Sequence, residues 1–153
     1  MTHLSDDLLN KFNAILIAPC GMNCGLCIAH LREKKPCAGC KGDDVNKVKH
    51  CVVCQIRNCD EMSSALEHKY CFDCAKFPCV RLRKLDNRYR TKYGMSMIEN
   101  LEHIRAFGMD SFIDFETERW KCTKCGKAIC VHREKCIYCD SDRQSIVPIK
   151  QEK

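Results

Sequence analysis

The chain has 153 residues, enough for one or two small domains and too few for a large enzyme barrel. A single tryptophan and 7% aromatic residues limit the core it can build, so part of its stability must come from disulfides or metal. The formal charge of +6 suggests nucleic acid only while all 16 cysteines count as neutral; four tetrathiolate sites, each carrying a net −2, would bring it to about −2.

In chain order, Leu4, Leu8, Leu9, Phe12, Ile15 and Leu16 recur at helical spacing behind Ser5, Asp6 and Asp7. They predict an amphipathic helix within residues 1–19, stopped by Pro19. The acidic start and the short apolar run at 14–18 suit neither a signal peptide nor a membrane span. This places the protein in the cytoplasm, where reduced C-x2-C pairs bind metal rather than form a disulfide framework. Residues 20–80 are turn-rich and cysteine-rich, with a short helix expected over 60–70. Residues 81–120 form a cysteine-free helical connector. A basic helix runs to Gly94, Met97, Ile98, Leu101, Ile104 and Phe107 make an apolar stripe closed by Gly108, and a further helix spans 112–120. A zinc-ribbon-like module occupies 121–140 and a polar tail 141–153. The fold class expected is a small, metal-stapled α+β protein: an irregular cysteine-rich module with short helices, a helical connector and a C-terminal zinc-ribbon-like module.

Two regularities organise the cysteines. C-x2-C-x4-C occurs at Cys51/Cys54/Cys59, Cys71/Cys74/Cys79 and Cys122/Cys125/Cys130. C-x2-C-x10-C-x2-C occurs at Cys37/Cys40/Cys51/Cys54 and Cys122/Cys125/Cys136/Cys139. The two patterns share residues and so propose competing ligand sets. The clearest site is Cys122, Cys125, Cys136 and Cys139, because two C-x2-C turns facing each other make the closed thiolate sphere of a structural zinc ribbon. Cys130 and His132 lie in the gap and are candidates to replace one ligand.

Cys20/Cys24/Cys27 reads C-x3-C-x2-C and resembles the triad that holds a four-iron cluster in radical S-adenosylmethionine enzymes. Leu26 stands where those enzymes usually place an aromatic, and the chain has no room for their barrel. A site completed by a distant cysteine or by His30 fits better, and another zinc knuckle remains open. If Cys37/Cys40/Cys51/Cys54 form one ribbon, Cys59/Cys71/Cys74/Cys79 can close a second site. If the C-x2-C-x4-C groups act as tripods, Cys37 and Cys40 supply fourth ligands to two different sites. Eleven cysteines in this module leave three sets of four short by one, and His30 and His50 are the nearest candidates to fill the gap.

Arg81, Arg83, Lys84, Arg88, Arg90 and Lys92, interleaved with Tyr89 and followed by Tyr93, offer a basic face for phosphates and bases, or for an acidic partner protein. No phosphate loop and no nucleophile–base arrangement is present, so the reading leans away from an enzyme.

Together, Ala18-Pro19-Cys20-Gly21-Met22-Asn23-Cys24-Gly25-Leu26-Cys27, Cys37/Cys40, Cys51/Cys54/Cys59 and Cys71/Cys74/Cys79 resemble the domain-of-unknown-function family numbered 3795, a cysteine-rich prokaryotic family. Residues 119–139 resemble the zinc-ribbon extension of its longer members. The family has no established activity, and its frequency in anaerobes implies oxygen-sensitive iron–sulfur chemistry in the N-terminal module. The function expected is therefore that of a multi-site metal protein. Zinc sits at the C-terminal site, with [4Fe-4S] clusters or further zinc on Cys20, Cys24, Cys27, Cys59, Cys71, Cys74 and Cys79. Such a protein would transfer electrons or carry clusters with a redox partner. The alternative is a zinc-only module that binds nucleic acid or protein.

Overall fold

A computed structural model describes residues 14–42, 44–59, 70–144 and 146. Of the helix expected near the N-terminus, only a 3-10 turn at Ala14–Leu16 falls among these. The helix expected over 60–70 and most of the tail lie outside the described residues. Two short helices, α1 (Ile28–Leu31) and α2 (Lys49–Val52), punctuate the cysteine-rich part. Three longer ones follow: α3 (Val80–Tyr93), α4 (Met97–Phe107) and α5 (Met109–Arg119).

Local signals place the longer helices. Pro78 and Cys79 precede α3, which stops at Gly94; that residue takes a left-handed φ of 72° and donates its N–H to Tyr89 O. Ser96 caps α4, its hydroxyl accepting from the Glu99 N–H at 3.1 Å. The corner between α3 and α4 is pinned by buried Asp86, whose Oδ1 accepts from Ser96 Oγ at 2.6 Å and from the Ile98 N–H at 3.0 Å. Gly108, at φ 91°, ends α4 and opens α5.

The apolar stripe of α4 buries Met97, Leu101 and Ile104, while Phe107 remains half exposed against the His103 ring. Leu82 of α3, Met95, Met97 and Leu101 form one core with Ala18, Met22 and Leu26 of the first cysteine loop. Trp120, Ile129 and Val131 belong to the same core. The C-terminal cysteine segment is therefore packed into the centre of the molecule. A smaller cluster joins Ile17, Ile104 and Phe112.

The α+β expectation differs from the structure in its β part. The described residues contain no strand, only three isolated antiparallel bridges: Ile17–Asn23, Lys121–Ala128 and Lys135–Asp142. Each closes a loop of a few residues around cysteines, which leaves no length for a ladder. Among the described residues no helix is long and apolar enough to cross a membrane.

Gly21 decides how the first cysteine loop meets α4. Its φ is 91°, and a Cβ there would lie 2.6 Å from Met97 O and 2.9 Å from Leu101 Cγ. The loop can press on the helix only because that atom is missing. Gly21→Ala is expected to cost about 2–4 kcal/mol through combined backbone strain and overpacking. A lowered denaturant midpoint at unchanged slope would register the loss.

Candidate metal centres

The C-terminal centre is built from two matching turns. In the first, the Cys122 N–H donates to Lys127 O at 2.8 Å and the Gly126 N–H to Cys122 O at 2.9 Å. In the second, the Cys136 N–H donates to Ser141 O and the Asp140 N–H to Cys136 O, both at 2.9 Å. Gly126 and Asp140 hold equivalent places and both have positive φ, 78° and 62°. Aspartate tolerates that region better than most residues, which is why the second turn closes without glycine.

These turns face each other. The sulfurs of Cys122, Cys125, Cys136 and Cys139 all lie within 4.8 Å of one another. Cys122–Cys139 are 3.7 Å apart and Cys125–Cys136 3.6 Å. A tetrahedron with metal–sulfur bonds of ~2.3 Å has edges of ~3.8 Å, so the four thiols fit one metal ion with no position left open. Backbone N–H groups of Cys125 and Lys124 hold the Cys122 thiol below its ordinary value, and Ser141 brings Cys139 down to about 6. Donors that stabilise a thiolate are what a ligand set requires.

Cys130 and His132 are not in this group. Cys130 is fully buried and Val131 packs in the core. The His132 ring is engaged on both sides: Nδ1 accepts from the Ile28 N–H at 3.4 Å, and Nε2 meets Tyr89 Oη at 2.9 Å. Tyr93 stacks edge-on against the same ring. The spacing that suggested His132 as a ligand instead serves to dock this segment on α1 and α3.

The N-terminal cysteines are arranged differently. Among the described residues, the C-terminal four are the one group of three or more ligand atoms gathered within 4.8 Å. Cys37, Cys40, Cys51 and Cys54 do not repeat that geometry. Cys51 lies on α2 and Cys54 follows it in a helical turn, its N–H reaching Cys51 O at 3.4 Å, so this pair does not form a knuckle. Cys59, Cys71, Cys74 and Cys79 instead surround a pocket whose other walls include Ile56, Phe77, Leu82 and Arg81. The Cys71 N–H donates to Pro19 O at 2.9 Å, and the Lys76 N–H points at Cys74 Sγ at 3.4 Å. Cys79 stands at the start of α3, where the helix dipole favours a thiolate.

Cys20, Cys24 and Cys27 occupy the loop pressed on α4. Burial pushes the Cys20 thiol well up, and Cys24 and Cys71 up to about 12. These groups are neutral thiols at neutral pH unless a metal displaces their protons. His30 does not join them through Nδ1, which lies 2.6 Å from Cys37 O.

A buried polar network that spacing did not reveal holds this loop. Asn23 accepts from the Gly25 N–H at 3.0 Å and donates to Glu116 Oε2 at 3.2 Å. Glu116 pairs with Arg119, which also donates to Asn100 Oδ1 at 2.9 Å. Asn100 in turn donates to Gly21 O at 2.9 Å. One sequence signal was available: Glu116 sits between Phe112 and Trp120 at four-residue steps, on the buried face of its helix.

Fold and sites define a cysteine-rich protein with a helical core and a four-sulfur centre suited to a metal ion. Residues 16–84 match the family described as Protein of unknown function (DUF3795), and that part of the chain belongs to it. The match contains the eleven N-terminal cysteines and stops before the C-terminal centre. None of the curated proteins and none of the solved structures matches this chain.

Proposed function

We propose that the chain is a multi-site metal protein that transfers electrons or carries a cluster. A zinc ion on Cys122, Cys125, Cys136 and Cys139 staples the fold, and an iron–sulfur cluster on Cys59, Cys71, Cys74 and Cys79 does the redox work. The pocket carries this reading. A cluster stands between its four thiolates and needs them spread around a space, whereas a single ion draws them together. Here four thiols line a space walled by apolar side chains.

The redox partner is a protein with an acidic face. Arg81, Arg83, Lys84, Arg88, Arg90 and Lys92 are all exposed along α3, which begins at Cys79. Positive charge beside a redox centre would steer an acidic partner to it. The aromatics that would stack on bases, Tyr89 and Tyr93, instead turn toward His132, which favours a protein over nucleic acid. Titrating single-stranded DNA and RNA at two salt concentrations is expected to show only weak, salt-sensitive binding.

The deciding experiment is metal and acid-labile sulfide analysis of protein purified without oxygen, on wild type and Cys74→Ser. Wild type is expected to be brown and to contain zinc together with iron and matching sulfide. Cys74→Ser should lose iron and sulfide while keeping the C-terminal zinc. A colourless wild type with zinc and no sulfide overturns the redox reading.

A further inference from the structure

We propose that Cys130 completes a tetrathiolate metal site with Cys27, Cys37 and Cys51, so that the C-terminal segment supplies a ligand to the N-terminal module. This rests on the metal-binding reading above and does not depend on whether iron is present.

The backbone brings the two segments together. The Val131 N–H donates to Leu26 O at 2.9 Å, and the Ile28 N–H donates to His132 Nδ1 at 3.4 Å. These two bonds flank Cys27 on one chain segment and lie just beyond Cys130 on the other. Arg143 reinforces the docking by donating to Val131 O at 3.0 Å. Cys130 is thereby held in the interior, fully buried, outside the four-sulfur group its own spacing suggested.

Its local geometry is that of a ligand. The N–H of His132, two residues on, points at the Cys130 sulfur. The same arrangement is found at Cys122 with Lys124, Cys125 with Lys127 and Cys139 with Ser141, all in the C-terminal centre. It recurs at Cys37, where the Gly39 N–H reaches Sγ at 3.4 Å, and at Cys27 with Ala29. A donor aimed at sulfur stabilises the thiolate and turns its remaining lone pairs outward to a metal.

The neighbours agree. Cys27 is the cysteine whose charge bears on Cys130, Cys37 the one that bears on Cys27, and Cys27 followed by Cys37 those that bear most on Cys51. The remaining thiols form a separate chain of neighbours: Cys20 with Cys24, Cys24 with Cys40, and Cys40 with Cys54. The count then closes. Eleven N-terminal cysteines fall one short of three full sets, and Cys130 is the twelfth. Sixteen cysteines become four sets of four. Metal binding at the new set replaces four S–H bonds by four metal–sulfur bonds and releases the protons to solvent.

Cadmium, a thiolate-seeking probe with an NMR-active isotope, tests the set in the full chain. In cadmium-113-substituted protein, the Cys130 β-protons are expected to correlate with the same cadmium as those of Cys27, Cys37 and Cys51. No cadmium coupling at Cys130, or coupling to a cadmium held by any other set, overturns the proposal. Cys130→Ala supplies the second arm. It should bind one cadmium fewer per chain, with the signals of Cys122, Cys125, Cys136 and Cys139 still present. Unchanged stoichiometry in that variant overturns the proposal as well. Should Cys130→Ala fail to accumulate, the wild-type correlation decides alone. Iron-free protein leaves this test intact, so its outcome is separable from that of the redox reading.

Discussion

Removing the metal from Cys122, Cys125, Cys136 and Cys139 is expected to unfold much more than residues 121–140. Trp120, Ile129 and Val131 are fully exposed to one another and closed to solvent, and they share one core with Leu26, Leu82, Met97 and Leu101. The Ile129 N–H donates to Trp120 O at 2.7 Å, and the Val131 N–H reaches across to Leu26 O. Without the ion, the two turns have only a few backbone bonds to keep that segment in place. The binding free energy of a structural zinc site is on the order of 10 kcal/mol, comparable with the whole stability of a small protein. A strong chelator, or Cys136→Ser, should therefore abolish the cooperative thermal transition or lower its midpoint by more than ~10 °C. Trp120, the single tryptophan, reports the event directly by shifting its emission to the red as water reaches the indole. Chelated protein that keeps both its emission and its transition would contradict a stapling role for this centre.

What was legible in the sequence follows the range of each interaction. The helices of the connector were readable because their stops are local: Gly94, the Ser96–Glu99 cap and Gly108 act within a turn of where they sit. The C-terminal centre was readable for the same reason, since each C-x2-C turn folds on itself and only two turns had to meet. The N-terminal pairing was not. Its repeats overlap, and the bonds that sort them span long separations, such as Cys71 to Pro19 and Val131 to Leu26. Spacing also misled where a polar residue serves packing: His132 sits beside cysteines yet spends its ring on Ile28 and Tyr89. The β content was over-read because paired cysteine turns resemble a small ribbon, while the loops are too short to extend into strands. Glu116 was missed because an isolated carboxylate on a helix reads as a solvated one until its partners on other segments are known.

Glu116 is where the helical half and the cysteine half are joined, and it should be the most sensitive position away from the cysteines. Its side chain is fully buried and that of Arg119 is 6% exposed. Replacing Glu116 by alanine removes the carboxylate that balances the Arg119 charge and the acceptor that holds Asn23. Breaking a buried pair from one side costs about 3–5 kcal/mol, a large share of what a protein of this size has. The effect should not stop at stability. Asn23 fixes the Gly25 N–H between Cys24 and Cys27, and Asn100 fixes Gly21 O beside Cys20. Loosening this loop should accelerate metal loss from the N-terminal sites while the C-terminal ion stays bound. Chelator-challenged release, followed metal by metal, separates the two. The double variant Glu116→Leu, Arg119→Met tests the electrostatic cause, because replacing both charges by apolar groups of similar volume should restore much of the stability lost in Glu116→Ala. It should not restore slow metal release, since Asn23 still lacks its acceptor. Equal release rates in all three proteins would show that the network holds the helices together without governing the cysteine loop.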